Sequence, residues 1–104
     1  MMSITLSIDT NVGAAYIQFT DEPVVETIEE TPAIQVDVAA TGEVVGVELL
    51  NLATELPVES MTGKYRFTDE QLSALLQIRH TLQGFVASAS GVVGQAHVPT
   101  LQAV

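Results

Sequence analysis

The hydrophobic pattern of this chain changes period once, and that change limits the folds open to it. Up to about residue 50, apolar residues recur at every second position. Ile4-Thr5-Leu6-Ser7-Ile8-Asp9 and Ile34-Gln35-Val36-Asp37-Val38 alternate without error, as strands with one buried face do. After Thr68 the spacing becomes helical, with Leu72, Leu75, Leu76, Leu82, Phe85, Val86 and Ala89 on one stripe and Ile78 flanking it. All the strand-like segments precede the helical one. The chain therefore lacks the strand–helix alternation of parallel sheets, and an α+β fold is predicted. It comprises a small antiparallel β-meander sheet of about five strands followed by a C-terminal α-helix.

The strands are separated by turn chemistry. Thr10-Asn11-Val12-Gly13 links the first strand to Ala14–Thr20, making a hairpin. Asp21-Glu22-Pro23 breaks the second strand, and Val24–Ile28 reads as a weaker third. Glu29-Glu30-Thr31-Pro32 reads as a loop. Ala40-Thr41-Gly42-Glu43 offers a turn between the fourth strand and Val44–Leu50. The fifth strand does not alternate: Val45, Val47 and Leu49 face one side, while Val44, Gly46, Glu48 and Leu50 face the other. A strand apolar on both faces is usually covered on both. Gly46 marks a bulge or a close backbone approach.

Leu56–Lys64 reads as a connector containing Pro57 and Gly63. Thr68-Asp69-Glu70-Gln71 fits a capping box, with Thr68 as N-cap. Asp69 and Glu70 then sit favourably against the helix dipole. The helix is expected from about Asp69 to about Ser88, with Gly84 inside it at a cost of roughly 1 kcal/mol. A chain of 104 residues is one domain, divided into a β core (about 4–56), a helix (about 68–89) and a tail (about 90–104). The tail is expected to be loose or to form a short strand at Val92-Val93.

Charge narrows the function classes. Residues 1–63 hold eleven acids and no Lys or Arg, while residues 64–104 hold two acids and three bases. The acidic block disfavours nucleic acid and anionic membrane surfaces, and it would steer a basic partner inward. Solubility alone also accounts for it. Zero Cys removes disulfides, zinc-finger sites and thiol nucleophiles. No apolar run reaches the roughly 18 residues of a membrane span. Met1-Met2-Ser3-Ile4 lacks the features of a secretory signal, so the expected compartment is cytoplasmic.

Ile8-Asp9-Thr10-Asn11-Val12-Gly13-Ala14-Ala15-Tyr16-Ile17, then Val25-Glu26-Thr27, Val36-Asp37-Val38, Gly42 and Val44-Val45-Gly46-Val47-Glu48-Leu49-Leu50 together resemble a family of small bacterial proteins, domain of unknown function 2283. The resemblance runs over about residues 4–56. It implies a small antiparallel sheet and no activity. Some family members look like halves of two-gene modules. The chain departs from the pattern at Ile8, Gly13 and Ala39, where the family favours Tyr, an acid and a second acid. The helix after Thr68 is an addition to the family core.

Candidate sites are few. Asp9-x-Asn11-x-Gly13 begins like a calcium loop, but Gly13 and Thr20 stand where ligands are needed, leaving turn chemistry. Asp37 and Glu48 could form a carboxylate pair on one sheet face, with His80 as a remote third group. They are weak metal candidates, and no cofactor is expected. His97 falls in the tail. No nucleophile-elbow, Walker or dinucleotide glycine motif occurs. Val44, Leu50, Leu72, Leu75, Leu76, Leu82, Phe85 and Val86 are the expected interface of a homodimer, with intramolecular core as the competing role. The leading expectation is a non-enzymatic interaction module. It would be homo-oligomeric and bind a basic protein, as the neutralising member of a two-gene pair. The alternatives are a small metal-assisted hydrolase using Asp37, Glu48 and His80, and a small-molecule carrier with a pocket between sheet and helix.

Overall fold

Two glycine turns set the register from which the sheet grows. Gly13 and Gly42 are the positive-φ residues among those described, at +71° and +87°, a region where a Cβ is strained and glycine is not. At the first turn, Asp9 Oδ1 accepts the Asn11 N–H at 2.9 Å and the Gly13 N–H reaches the Asp9 carbonyl. The Asp9-x-Asn11-x-Gly13 run is thus built as turn chemistry. At the second turn, Ala39 and Glu43 bond across the loop and the Gly42 N–H closes on the Ala39 carbonyl.

The computed structural model describes residues 4–89. The expected tail, with its suggested strand at Val92-Val93 and its His97, lies outside the described residues. The strands are β1 (Thr5–Asp9), β2 (Ala14–Gln18), β3 (Glu26–Thr31), β4 (Ile34–Val38) and β5 (Val44–Leu49). They are followed by α1 (Val58–Thr62) and α2 (Asp69–Ala89). All strand pairings are antiparallel. The α+β class is as the sequence predicts, but the strand order β1-β2-β5-β4-β3 is not chain order. A simple meander would have placed β5 at an edge. Here β5 lies at the centre, with the β1–β2 hairpin on one side and β3–β4 on the other. The most apolar strand takes the position with two neighbours and the most cover.

Register assigns the faces. Leu6, Ile17, Val47, Val36 and Ile28 form one row across all five strands. That row meets Leu75, Ile78 and Leu82 of α2, together with Leu56, Val58 and Met61, in a single core. Each such side chain, fully buried, contributes about 1.5–3 kcal/mol. Phe19 meets Phe67 in a tilted contact with ring centroids 5.9 Å apart, and Tyr65 meets Phe67 edge-on, tying the segment before α2 to the sheet.

Three local expectations need correction. Glu29–Thr31 continue β3 rather than forming a loop, because they pair with β4 through a register shift as far as Thr31–Ile34. The connector contains α1, a five-residue helix that buries Val58 and Met61 and is too short to show a period. Val44, Leu75 and Leu82, expected at an interface, are buried in the chain's own core. A bulge, where Asp37 faces Gly46 but Val38 faces Val44, turns Val44 inward. The capping box forms as read: Gln71 N–H donates to Thr68 Oγ1 at 3.1 Å, and Thr68 N–H donates to Gln71 Oε1 at 2.9 Å.

Candidate functional site

The sheet's second face carries the polar half of each alternating strand. Ser7, Tyr16, Glu48, Gln35 and Glu29 form one row, and Thr5, Gln18, Gly46, Asp37 and Thr27 the next. The helix core lies on the opposite face, so these side chains point away from α2.

One arrangement dominates this face. Tyr16 on β2 lies over Gly46 of β5 and donates its hydroxyl to Asp37 Oδ2 on β4 at 2.8 Å. Thr27 on β3 donates to Asp37 Oδ1 at 2.6 Å. The clasp thus spans four strands, crossing the central one above a glycine. A Cβ on Gly46 would collide with the Tyr16 ring and lie 2.8 Å from the Ile17 carbonyl oxygen, so the absent side chain is what lets the ring pass. Burial, then the Asp37 hydrogen bond and the charges of Asp37 and Glu48, hold the Tyr16 phenol well above its ordinary pKa. Tyr16 therefore stays a proton donor, and both Asp37 oxygens are engaged. This geometry fixes strands in place; it does not present a free base or nucleophile.

Asp37 and Glu48 do share this face, as their spacing suggested. However, Asp37 faces Gly46 and Glu48 faces Gln35, so the two are diagonal neighbours, and Asp37 is taken by Tyr16 and Thr27. His80 is an exposed residue of α2, a helix packed on the other face. Among the described residues no group of three or more His, Asp or Glu gathers as a metal site would require. Sequence reasoning missed the clasp because it joins residues on four strands. The available signal was the shared parity of Tyr16 and Asp37 with a glycine in the strand that separates them.

The remaining charge is unevenly paired. Among the described residues, Glu30 pairs with Lys64 at 2.7 Å and Glu59 with Arg79 at 2.8 Å. Glu30 also accepts the Tyr65 hydroxyl at 2.8 Å, and the Lys64 ammonium holds its carboxyl below the usual range. Burial, then the bond to Glu30, pushes the Tyr65 phenol up to about 12. Glu22 moves the other way from Glu30. A hydrogen bond with the Glu43 carboxyl raises its pKa.

Two grooves flank these elements. One of about 260 Å³ runs beside Tyr16 on the polar face, lined by Ser7, Asp9, Val12, Ala14 and Glu48 among others. Another, of about 320 Å³, lies between the 52–56 loop and α2. Of the residues expected at an interface, Leu50 and Leu76 are exposed, and Leu72, Phe85 and Val86 are half-buried.

No helix among the described residues is long and apolar enough to cross a membrane. No curated protein and no solved structure matches the chain. The model of the family described as protein of unknown function, DUF2283, matches residues 6–52. That stretch runs from β1 to just past β5 and contains Tyr16, Thr27, Asp37, Gly46 and Glu48, so the part of this chain that is similar to the DUF2283 family is its sheet.

Proposed function

We propose that the protein is a non-enzymatic, self-associating interaction module that binds a basic protein, as the neutralising member of a two-gene pair would. The observation carrying this reading is the polar sheet face. Neither of the described helices packs on it, and it carries Asp9, Glu29, Asp37 and Glu48. All eleven acids of residues 1–63 lie in a stretch without Lys or Arg. Among the described residues, which include all thirteen acids, salt bridges form at Glu30 and Glu59. Surplus negative charge on an open face raises the encounter rate with a cationic partner and rejects phosphate backbones.

Self-association fits the other side of the molecule. Leu76 is exposed on α2 with Leu72 half-buried one turn before it. Residues 64–104 carry three bases against two acids. Two copies of a chain with formal charge −10 repel least where that charge is smallest, so a two-fold contact through α2 is the economical one.

Two measurements test this reading. Light scattering on the purified chain should return the mass of a dimer, and Leu76→Glu should return a monomer. Affinity capture from the native host at physiological salt should recover one small basic protein in stoichiometric amount and lose it at high salt. A monomeric chain that recovers no basic protein would remove the proposal.

A further inference from the structure

The groove beside Tyr16 carries the interaction reading one step further, and the inference rests on that reading. Ser7, Tyr16 and Glu48 are directly opposed on β1, β2 and β5, while Asp9 and Ala14 form the next opposed pair towards the hairpin. All five point to the polar face and line the cavity of about 260 Å³, a volume suited to one long side chain. Ala14 contributes almost no bulk, and this leaves the space open. Val12, 70% exposed, forms an apolar rim.

Each wall has a chemistry. Glu48 is half-buried on the central strand. Asp9 accepts a backbone N–H from Asn11 through one oxygen and adds a second negative charge at the mouth. The Tyr16 ring is held in a fixed orientation by its bond to Asp37. A carboxylate beside an immobilised aromatic ring matches a planar cation, which can take hydrogen bonds at its edge and stack on its face. An ammonium matches the carboxylate but not the ring's plane.

The geometry points to this groove as the seat of an arginine side chain from the basic partner. Glu48 accepts the guanidinium, the Tyr16 ring supports it, and Asp9 attracts it from the rim. A bare metal ion is a poorer occupant, since no three-carboxylate or His-containing group gathers here.

The test is a titration of the ¹⁵N-labelled full chain with acetyl-Ala-Arg-Ala-amide. The isosteric citrulline peptide and the lysine peptide serve as controls. Shifts should centre on residues 7–9, 14–16 and 48, with the arginine peptide binding more tightly than the lysine one and citrulline inactive. Glu48→Gln, with its thermal midpoint unchanged, should weaken the arginine peptide about tenfold, the loss of one charge-assisted contact. Shifts spread over every acidic residue, or an unchanged affinity in Glu48→Gln, would overturn the groove. If the variant still captured the basic partner at full strength, the interaction reading would stand without this site. If the wild type captured none, both would fall.

Discussion

Replacing Gly46 with alanine tests whether the Tyr16 ring crosses the central strand. The new Cβ would meet that ring and approach the Ile17 carbonyl oxygen at 2.8 Å. The ring is the neighbour that can move, and moving it breaks the 2.8 Å bond to Asp37. Overpacking costs about 1–3 kcal/mol. A hydrogen bond to a charged acceptor is worth about 1.5–3 kcal/mol, with the lower end fitting this part-buried site. Alanine returns roughly 0.5–1 kcal/mol by lowering the entropy of the unfolded chain relative to glycine. The net loss expected from these contributions is about 1.5–4 kcal/mol, a large share of the about 5–15 kcal/mol that holds a typical domain. Urea unfolding reads it directly as a lower midpoint at constant slope. Repeating Gly46→Ala in a Tyr16→Ala background should cut the cost by at least about 1 kcal/mol, leaving the Ile17 contact as the remainder. A cost below about 0.5 kcal/mol, or the same cost in both backgrounds, would refute the clasp.

Two further expectations follow from local contacts. The chain has two tyrosines and no tryptophan, and both phenols are held above their ordinary pKa. A raised folded pKa stabilises the fold fully below about pH 10, the unfolded value. That contribution is lost as pH climbs towards 12, where Tyr65 titrates. Absorbance at 295 nm should therefore show little tyrosinate at pH 10 and a rise that coincides with unfolding; ordinary titration of both rings near pH 10 would refute the two carboxylate contacts. Separately, Thr68→Ala removes the acceptor of the Gln71 N–H and should cost about 1 kcal/mol, or roughly 4–8 °C in Tm. An unchanged midpoint would show that the box does not hold the start of α2.

What could be read in advance was whatever is decided within a few residues. Strict alternation located β1 and β4, and Thr68 with Gln71 located the start of α2. Asp9-Asn11-Gly13 declared a turn, which its hydrogen bonds then made. What could not be read depends on pairing between distant strands. The extension of β3 through Glu29–Thr31 is polar and looks like loop until β4 supplies its partners. The double-sided apolarity of β5 suggested an external cover. In fact its two causes are internal: a bulge that sends Val44 to the core and a glycine that makes room for Tyr16. Much of the sequence argument for oligomerisation is thereby absorbed within one chain. The part that remains is the exposed side of α2.

That shift makes the division of charge more informative than the hydrophobic pattern. Both layers carry acids, but nine of the thirteen lie in residues 6–52. That stretch, the one the family model matches, holds no Lys or Arg, whereas the four acids beyond it share their segment with all three bases. α2 and the segment before it hold all three cations; Lys64 reaches across to Glu30 on β3, and Arg79 pairs with Glu59 of the neighbouring α1. Among the described residues, neither ion pair involves an acid of the polar sheet face's two rows. A face made rigid by a four-strand clasp loses little conformational entropy when a partner docks on it. Rigidity and unspent negative charge on the same surface are what a docking face for a basic protein needs. The near-neutral helix on the opposite side leaves room for a second copy to bind without competing for that face.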